Sequence, residues 1–196
     1  LEGLGLTSIS FDGSGDVVES SGSTDIMNDK DATLSFWYKG STPGVEKTFL
    51  ESNNAYAEAL IYSRAGNEIR LHSTSGGSTD EWGLDSTQVT NSALYDGNWH
   101  HMVWVLDHGG QSHSIYVDGV SYPITFVSTN NHTVDWNGIS IGGRYDDLTG
   151  SMRDIKFYDY HLSADQVASL YSGSYNVTPL WHWKFDEGTG NVSNSG

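Results

Sequence analysis

The segment Asp96–Gly119 reads DGNWHHMVWVLDHGGQSHSIYVDG, and it predicts more about the architecture than any other part of the chain. It contains two runs of strand-forming residues, Trp99–Leu106 and Ser112–Val117, with turn residues before, between and after them. The closing Asp118-Gly119 pair favours a tight hairpin, because both residues tolerate the positive φ angles that such a turn requires. We therefore predict three consecutive antiparallel strands here.

The run Trp99–Leu106 carries apolar residues on both faces of the predicted strand. Because side chains alternate along a strand, one face presents Trp99, His101, Val103 and Val105, and the other presents His100, Met102, Trp104 and Leu106. A strand with two apolar faces belongs in the middle of a sheet, covered on one side by a second sheet. We expect a loop or a ligand to cover its other side.

Short strand patterns continue along the rest of the chain, about a dozen in all, with turn residues between them. The segment Thr74–Asp80 is predicted as a flexible loop. We expect one helix, Ser163–Tyr171, since a capping box marks its start and Gly173 stands where a C-terminal cap belongs. The pattern predicts an all-β fold: a two-sheet antiparallel β-sandwich, or jelly roll, with one short helix near the C-terminus. Residues 1–196 form one predicted domain, with 180–196 as a last strand and a flexible tail.

The charge and composition exclude several classes of partner. The chain has 25 Asp and Glu against 9 Lys and Arg, a net charge of −16, so nucleic acid and anionic membranes are unsuitable partners. No apolar run is long enough to predict membrane insertion. The absence of Cys excludes disulfides and thiolate metal sites. An acidic chain suits calcium binding, a salty or extracellular medium, or simple solubility.

Several stretches together resemble the laminin-G-like branch of the concanavalin A-like lectin and glucanase superfamily. They are ISFDGSGDVVES from Ile9, ATLSFWYKG from Ala32, YDGNWHHMVWVLD from Tyr95, SIYVDGV from Ser114, ISIGGR from Ile139, GSMRDIKFYDYHLSADQV from Gly150 and WHWKFDEGTG from Trp181. They span almost the whole chain, and the resemblance is greatest to bacterial and phage members. It implies a jelly-roll module that is extracellular, on a cell surface or on a virion, for example in a phage fibre.

The segment WHWKFDEGTG departs from the family pattern. In the family, a segment of this kind usually precedes the FDGSGD turn as the first strand of the domain, whereas here it comes last, from Trp181 onward. Either it is the first strand of a following repeat, or it fills the place of the first strand in its own domain. The first alternative predicts neighbouring repeats of the same parent chain as partners.

Members of the family often hold a calcium ion between the FDGSGD turn and the strand that reads G-x-M-R-D-I. By this resemblance the ligands are Asp12, the Gly13 carbonyl, Asp16 and Asp154. Calcium prefers several carboxylate and carbonyl oxygens on a turn that adapts to it. The alternative is that Asp12 and Asp16 hydrogen-bond their own turn, and that Asp154 pairs with an arginine.

A second group of residues is predicted to contact a ligand. Tryptophan rings stack on sugars, and acidic or amide groups bind hydroxyls or a second calcium ion. The candidates are Trp82, Asn130, His132, Trp136, Tyr145, Asp146 and Asp147. Alternatively, the acids belong to a solvated loop and the tryptophans are structural. Trp37 and Trp104 are further candidates for an open sheet face, whereas Trp99 is expected to anchor the core.

Catalysis has the least support from the sequence. A glycosidase needs two carboxylates that flank one bond, and the E-x-D-x-x-E strand motif of glucanases on a similar fold is absent. The expected function is that of a non-catalytic, calcium-stabilised module that binds a glycan. The alternative is a structural or adhesion module that binds a cell-surface protein or acts as a spacer. A polysaccharide-cleaving enzyme is a third interpretation, since carboxylates from distant strands can still meet.

Overall fold

The computed structural model describes residues 7–20, 25–27, 30–52, 58–64, 67–75, 78–108, 112–124, 126–127, 134, 136–143, 146–174 and 177–186. These residues form two seven-stranded antiparallel sheets, a two-stranded ribbon and two short helices. This architecture confirms the predicted all-β sandwich. Neither described helix is long and apolar enough to cross a bilayer.

The first sheet, called sheet 1, contains the longest strands. In spatial order they are β1 (Ile9–Asp12), β15 (Thr149–Tyr158), β4 (Ala32–Ser41), β9 (Asp96–Leu106), β10 (Ser114–Val117) and β11 (Val120–Tyr122), with β16 (Trp181–Trp183) also paired with β15. Strand β9 therefore lies inside the sheet, as its two apolar faces predict. The hairpin between β10 and β11 has φ angles of 52° at Asp118 and 76° at Gly119, which confirms the predicted turn.

The second sheet, called sheet 2, covers the inner face of sheet 1. Its order is β12 (Phe126–Val127), β8 (Ser78–Leu84), β7 (Glu68–Ser75), β6 (Glu58–Arg64), β5 (Lys47–Glu51), β14 (Ser140–Ile141) and β2 (Val18–Glu19). The ribbon pairs β3 (Asp25–Met27) with β13 (Trp136–Asn137). Strands β7 and β8 extend to Ser75 and from Ser78, so the prediction of a flexible loop over Thr74–Asp80 was wrong for most of its length.

The main core lies between the two sheets and follows from the alternation of β4 and β9. Phe36, Tyr38, Met102 and Trp104 point inward and are each at most 1% exposed. Burial of a large apolar side chain stabilises a fold by about 2 to 3 kcal/mol. The packing of these inward side chains against sheet 2 therefore stabilises sheet 1.

Helix α2 (Ala164–Ser172) covers part of the outer face of sheet 1. Its N-cap Ser163 and C-cap Gly173, with φ of 74°, confirm the predicted helix and its boundaries to within one residue. Val103, Val105, Tyr158, Leu162, Val167 and Leu170 form a second apolar cluster beneath it. The cover over Val103 and Val105 on this side of β9 is therefore a helix rather than the expected loop or ligand.

A second helix, α1 (Ser86–Asn91), was not predicted. Asp85 caps its N-terminus and forms a capping box with Gln88, but Val89 is its single buried residue. A six-residue helix with one buried apolar side chain has no helical periodicity for a sequence pattern to show.

Strand β16 fills a place in this sandwich. It pairs with β15 at Ile155 and Phe157, on the edge of β15 that also carries β1 further along. The Thr7 hydroxyl donates a hydrogen bond to the carbonyl of Lys184 over 3.0 Å, so the end of β16 lies next to the start of β1. The last described strand therefore pairs within the sheet of its own chain, and neighbouring repeats as partners stay a prediction from the resemblance.

Candidate functional site

The FDGSGD turn after β1 holds the first three predicted calcium ligands together. The amide of Asp12 donates to Asp16 Oδ2 over 2.9 Å, and the amide of Ser14 donates to Asp12 Oδ1 over 2.9 Å. Gly13 has φ of 87°, and a Cβ atom there would lie 2.7 Å from Thr149 Oγ1. Both carboxylates therefore hydrogen-bond their own turn, which is the arrangement that the alternative interpretation predicts.

Asp154 lies too far along β15 to complete this set. The register pairs Asp12 with Thr149, five positions before Asp154. At about 3.3 Å per residue, the two aspartates are separated by about 16 Å along the strand. The prediction that Asp154 shares one ion with Asp12 and Asp16 was wrong, because β1 pairs with the other end of β15.

Asp154 instead forms a buried charged cluster at a bulge in β15. It has φ of 53°, and the register against β4 shifts between Arg153 and Lys156. Its carboxylate accepts hydrogen bonds from Lys156 Nζ and, over 2.6 Å, from His182 Nε2. Burial opposes ionisation, but His182 and Lys156 outweigh it and lower the pKa of Asp154 to about 2. The predicted arginine partner is thus replaced by a lysine and a histidine.

The segment between β14 and β15, which carries Asp146 and Asp147, lies close to the FDGSGD turn. A Cβ atom on Gly142 would lie 2.8 Å from the carbonyl oxygen of Asp16. Asp146 is exposed, and its carbonyl accepts a hydrogen bond from the amide of Thr48 over 2.9 Å, whereas Asp147 is half-buried. Tyr145 lies outside the described residues. Among the residues that the structure describes, no three His, Asp or Glu side chains converge to hold a metal. The four predicted calcium ligands therefore do not form one site.

Trp82 and Trp136 are core residues and not stacking platforms on loops. Both side chains are 0% exposed. Trp82 contacts the His113 ring at a centroid distance of 4.5 Å, and Trp136 contacts Phe157 at 6.3 Å. The prediction of ligand contact by these two rings was therefore wrong. The companion candidates Asn130 and His132 lie outside the described residues.

A different group of residues forms an open surface on the outer face of sheet 1, beside α2. We call it the aromatic–cationic surface; it comprises Ser10, Trp37, Lys39, Trp99, Ser151 and Arg153. Cross-strand pairing places Lys39 between Ser151 and Trp99, and places Trp37 between Arg153 and His101. Paired residues of neighbouring strands point to the same face. The surface therefore spans β1, β15, β4 and β9 in two adjacent rows.

The arginine of this surface contacts two indole rings. The Arg153 guanidinium carbon lies 4.2 Å from the centroid of Trp99 and 5.2 Å from that of Trp37. Tyr171, at the end of α2, stacks on Trp37 at 5.8 Å and is 38% exposed. Both tryptophans and Arg153 are half-buried, so part of each side chain faces solvent. Cation–π contacts of this kind hold the guanidinium in a defined position.

Two cationic side chains belong to the aromatic–cationic surface, Lys39 and Arg153, and Lys156 follows Arg153 further along β15. Lys39 is exposed, and Lys156 is buried against Asp154. Ser10 and Ser151 add hydroxyl groups, whose oxygens are 3.1 Å apart.

Sequence reasoning named Trp37 as a candidate for an open sheet face, but it assigned Trp99 to the core and did not group the other members of this surface. The available signal was the alternation of Thr33–Lys39, in which Trp37 and Lys39 lie opposite the core residues. Trp104, in contrast, points into the core and is 0% exposed. The register of β15 against β4, which brings Arg153 beside Trp37, was not visible in the sequence.

His100 forms a separate cluster on the opposite face of β9. Its Nδ1 atom lies 2.7 Å from Asp118 Oδ2, and its Nε2 atom lies 3.0 Å from Asp96 Oδ1. Burial lowers the pKa of His100, but the hydrogen bonds to the two carboxylates outweigh it and raise the pKa above its usual value. Because Asp118 also accepts from the amide of His101 over 2.8 Å, this cluster fastens the hairpin turn to β9.

Solved structures with the same fold include receptor-binding and ligand-binding domains. The binding domain of botulinum neurotoxin serotype D has a TM-score of 0.64 and 17% identity, and the match covers 85% of this chain and 42% of that domain. The ligand-binding domain of the same serotype in complex with N-acetylneuraminic acid matches with 16% identity and a TM-score of 0.64, over 85% and 42%. This chain thus spans about two fifths of those domains. A native heptameric SAP-like pentraxin from Limulus polyphemus matches with 14% identity and a TM-score of 0.59, over 86% and 82%.

Sequence comparison gives the family. No curated protein matches the chain significantly. A laminin G family model, described as the concanavalin A-like lectin/glucanases superfamily, matches residues 12–168. Because this match spans most of the sandwich, from the FDGSGD turn into α2, the chain belongs to the concanavalin A-like lectin/glucanase superfamily.

Proposed function

We propose that this chain is a non-catalytic glycan-recognition module of an extracellular, cell-surface or virion protein, and that the aromatic–cationic surface binds the glycan. The observation that carries the proposal is the pair of half-buried rings, Trp37 and Trp99, that both contact Arg153. Indole rings offer a large apolar area with few rotatable bonds, and nearby polar groups fix the orientation of a ligand.

The similar structures share the fold of this chain, and their named functions belong to the class that we propose. One neurotoxin domain was determined in complex with N-acetylneuraminic acid, and other similar domains are receptor-binding or ligand-binding domains. A fold of this kind hosts several functions, so the position of the site must come from this chain's own residues. The aromatic–cationic surface supplies that position.

Truncation of each indole ring tests the proposal. We expect Trp99→Ala to reduce glycan binding at least tenfold, because it removes a stacking face, about 1.4 kcal/mol or more. Trp37→Ala should reduce it less, because Tyr171 and Arg153 already lie over that ring. The matched control is Trp181→Ala, since Trp181 is also half-buried but packs against the inner core. The measurement is a glycan array followed by calorimetry, with circular dichroism to verify that each variant is folded.

The outcome separates the glycan function from its alternatives. Equal losses in Trp99→Ala and Trp181→Ala would mean that the surface is not the binding site. The absence of any array signal from the folded chain would favour an adhesion or spacer role. Release of reducing sugar from a polysaccharide would favour the enzyme, for which the similar binding domains give no support.

Calcium dependence stays a prediction from the family resemblance, now restricted to Asp12, Gly13 and Asp16. Thermal unfolding with calcium and with excess chelator measures it. An ion that binds the folded state at one hundred times its dissociation constant adds about 2.7 kcal/mol of stability. If chelator lowers the melting temperature of the wild type and of Asp154→Asn equally, but not that of Asp12→Asn, the ion lies at the FDGSGD turn.

A further inference from the structure

We propose that a cleft beside α1 binds a small organic ammonium group, either of a free amine or of a lysine side chain. We call it the α1 cleft; its lining includes Thr42, Asn67, Val89, Ala93, Tyr95 and Asp96. These residues come from the end of β4, the turn before β7, α1 itself, and the segment that joins α1 to β9. The cleft shares no residue with the aromatic–cationic surface, so its ligand is independent of the proposed glycan function.

The walls of the α1 cleft are partly apolar, and its size suits a small ligand. Val89 is buried, and the half-buried Tyr95 packs against the main core. The volume of the cleft is about 260 Å³. Sites for drug-sized ligands usually measure about 300 to 1,000 Å³. A short amine or the end of one lysine side chain therefore matches the cleft better than a larger ligand does.

Ala93 lines the cleft with a backbone conformation that favours glycine. It follows Ser92, the C-cap of α1, and has φ of 56°. Glycine is the usual residue after a helix C-cap, because a side chain is strained at positive φ. Strain of this kind persists where the surrounding structure imposes it, and it is common at ligand sites. The amide of Asp96 donates to the carbonyl of Ala93 over 2.9 Å, so the same turn positions Asp96.

Asp96 is the single charged residue among the described residues that line the cleft. Its Oδ1 atom accepts hydrogen bonds from the amide of Asn98 over 2.8 Å and from His100 Nε2 over 3.0 Å, and its Oδ2 atom accepts from Asn98 Nδ2 over 3.0 Å. The bonds from His100 and Asn98 lower the pKa of Asp96 to about 2, so the carboxylate is ionised at neutral pH. A carboxylate offers about four acceptor positions, so one position on Oδ2 remains for a ligand.

His100 orients Asp96 without cancelling the negative charge of their cluster. The other ring nitrogen of His100, Nδ1, lies 2.7 Å from Asp118 Oδ2. Two carboxylates thus share one imidazolium ring, and the cluster keeps a net negative charge. Tyr95 also lines the cleft, and an aromatic ring attracts a cation. An ammonium group therefore gains a charge-assisted hydrogen bond here, whereas an anion is repelled and a hydroxyl group gains a weaker bond.

A titration of the full chain with matched amines and neutral compounds tests this inference by proton–nitrogen NMR at neutral pH. The pairs are n-pentylamine with pentanol, and Nα-acetyl-lysine methylamide with its Nε-acetylated form. We expect both amines to cause saturable shifts at the amides of Ala93 and Asp96, and their neutral partners to bind at least tenfold more weakly. Asp96→Asn should weaken amine binding to a similar extent. Tighter binding of the lysine derivative than of pentylamine would identify a protein side chain as the source of the ammonium group.

Two further variants separate loss of the ligand contact from loss of the fold. Asp159→Asn is the matched control, because Asp159 pairs with Lys30 near the opposite end of β4, and it should leave amine binding unchanged. Thr42→Phe keeps every charge and partly fills the cleft at an exposed position, so it should weaken amine binding in a folded chain. Circular dichroism verifies that each variant is folded.

Three outcomes would overturn the inference. Equal binding of the amines and their neutral partners would show that the cleft does not select an ammonium group. Equal losses in Asp96→Asn and Asp159→Asn would show that amines respond only to the net charge of −16. The absence of saturable shifts with either amine would show that the cleft holds no such ligand. The glycan function is tested separately at Trp99 and would stand in all three cases.

Discussion

The outer face of sheet 1 has two halves that are built from the same strands but differ in exposure. In one half, Val103, Val105 and Tyr158 are buried beneath α2. In the other half, Trp37, Trp99 and Arg153 are half-buried. Alternation along β4, β9 and β15 produces both halves in the same way, and the path of the chain after β15 decides which half α2 covers. One strand face can therefore serve the core at one end and a candidate ligand site at the other.

Asp154→Asn should have the largest effect on the boundary between these halves. It leaves Lys156 buried without its counter-charge and His182 without its carboxylate partner. Loss of one partner of a buried pair costs about 3 to 5 kcal/mol. Urea unfolding at neutral pH measures the change. The control is Asp159→Asn, which breaks an exposed pair with Lys30 at 3.4 Å and should cost at most about 1 kcal/mol. Similar losses in both variants would contradict the structural role of the cluster.

The buried His101, which packs against Trp37, should make the stability of the fold sensitive to acid. Burial, assisted by the charge of Lys156, lowers the pKa of His101 to about 3, from about 6.5 in the unfolded chain. The folded state resists protonation, so this contribution to stability is present above pH 6.5 and is lost as the pH falls toward 3. Between pH 7 and pH 4 the loss is about 3 kcal/mol.

The variant His101→Gln tests this assignment when stability is measured across that range. It should flatten the acid side of the profile relative to the wild type, and His113, with its pKa lowered to about 4 by burial, adds the same sensitivity to both proteins. The control is His100→Gln. Because its folded pKa is raised, the contribution of His100 is present at low pH and is lost as the pH rises. Parallel profiles for the wild type and His101→Gln would show that His101 does not titrate with folding.

The smallest expected effects on stability come from one substitution in each half of the outer face. Leu170→Ala, under α2, should lower the free energy of unfolding by about 2 kcal/mol, because it removes buried methyl groups. Lys39→Ala, on the open half, should change it by at most about 0.5 kcal/mol, as for an exposed surface position. Thermal unfolding of both variants checks the contrast. A loss at Lys39 as large as that at Leu170 would show that the open half contributes to the fold as much as the covered half.

The elements that sequence reasoning found depend on short-range chemistry. The hairpin at Asp118-Gly119 and the caps Ser163 and Gly173 each act within a few residues, and the structure confirms them. Helix α1 was missed because Val89 is its single buried residue. The β7–β8 hairpin was missed because it has polar residues at its tip. In both cases the tertiary context supplies the stability that the local pattern does not indicate.

The candidate site was harder to predict, because it depends on which distant residues become neighbours. The resemblance grouped Asp154 with Asp12, but the register of β1 and the bulge at Asp154 separate them and turn Asp154 toward Lys156. Trp82 resembled an exposed loop residue only because its strand was taken for the end of a loop. Trp99 resembled a core anchor, because its partner Arg153 lies more than fifty positions away in the chain and their contact leaves no sequence signal.

The sequence alone was sufficient for the sandwich, its family and the acidic, disulfide-free character of the chain. These properties follow from alternation, turn residues, motif order and composition, all of which are local or additive. The tertiary structure alone decided that β16 completes sheet 1, that Asp154 forms a buried ion cluster, and that Trp37, Trp99 and Arg153 meet beside α2. These features depend on strand register and on the placement of one helix, which result from the packing of the whole chain and leave no local signal.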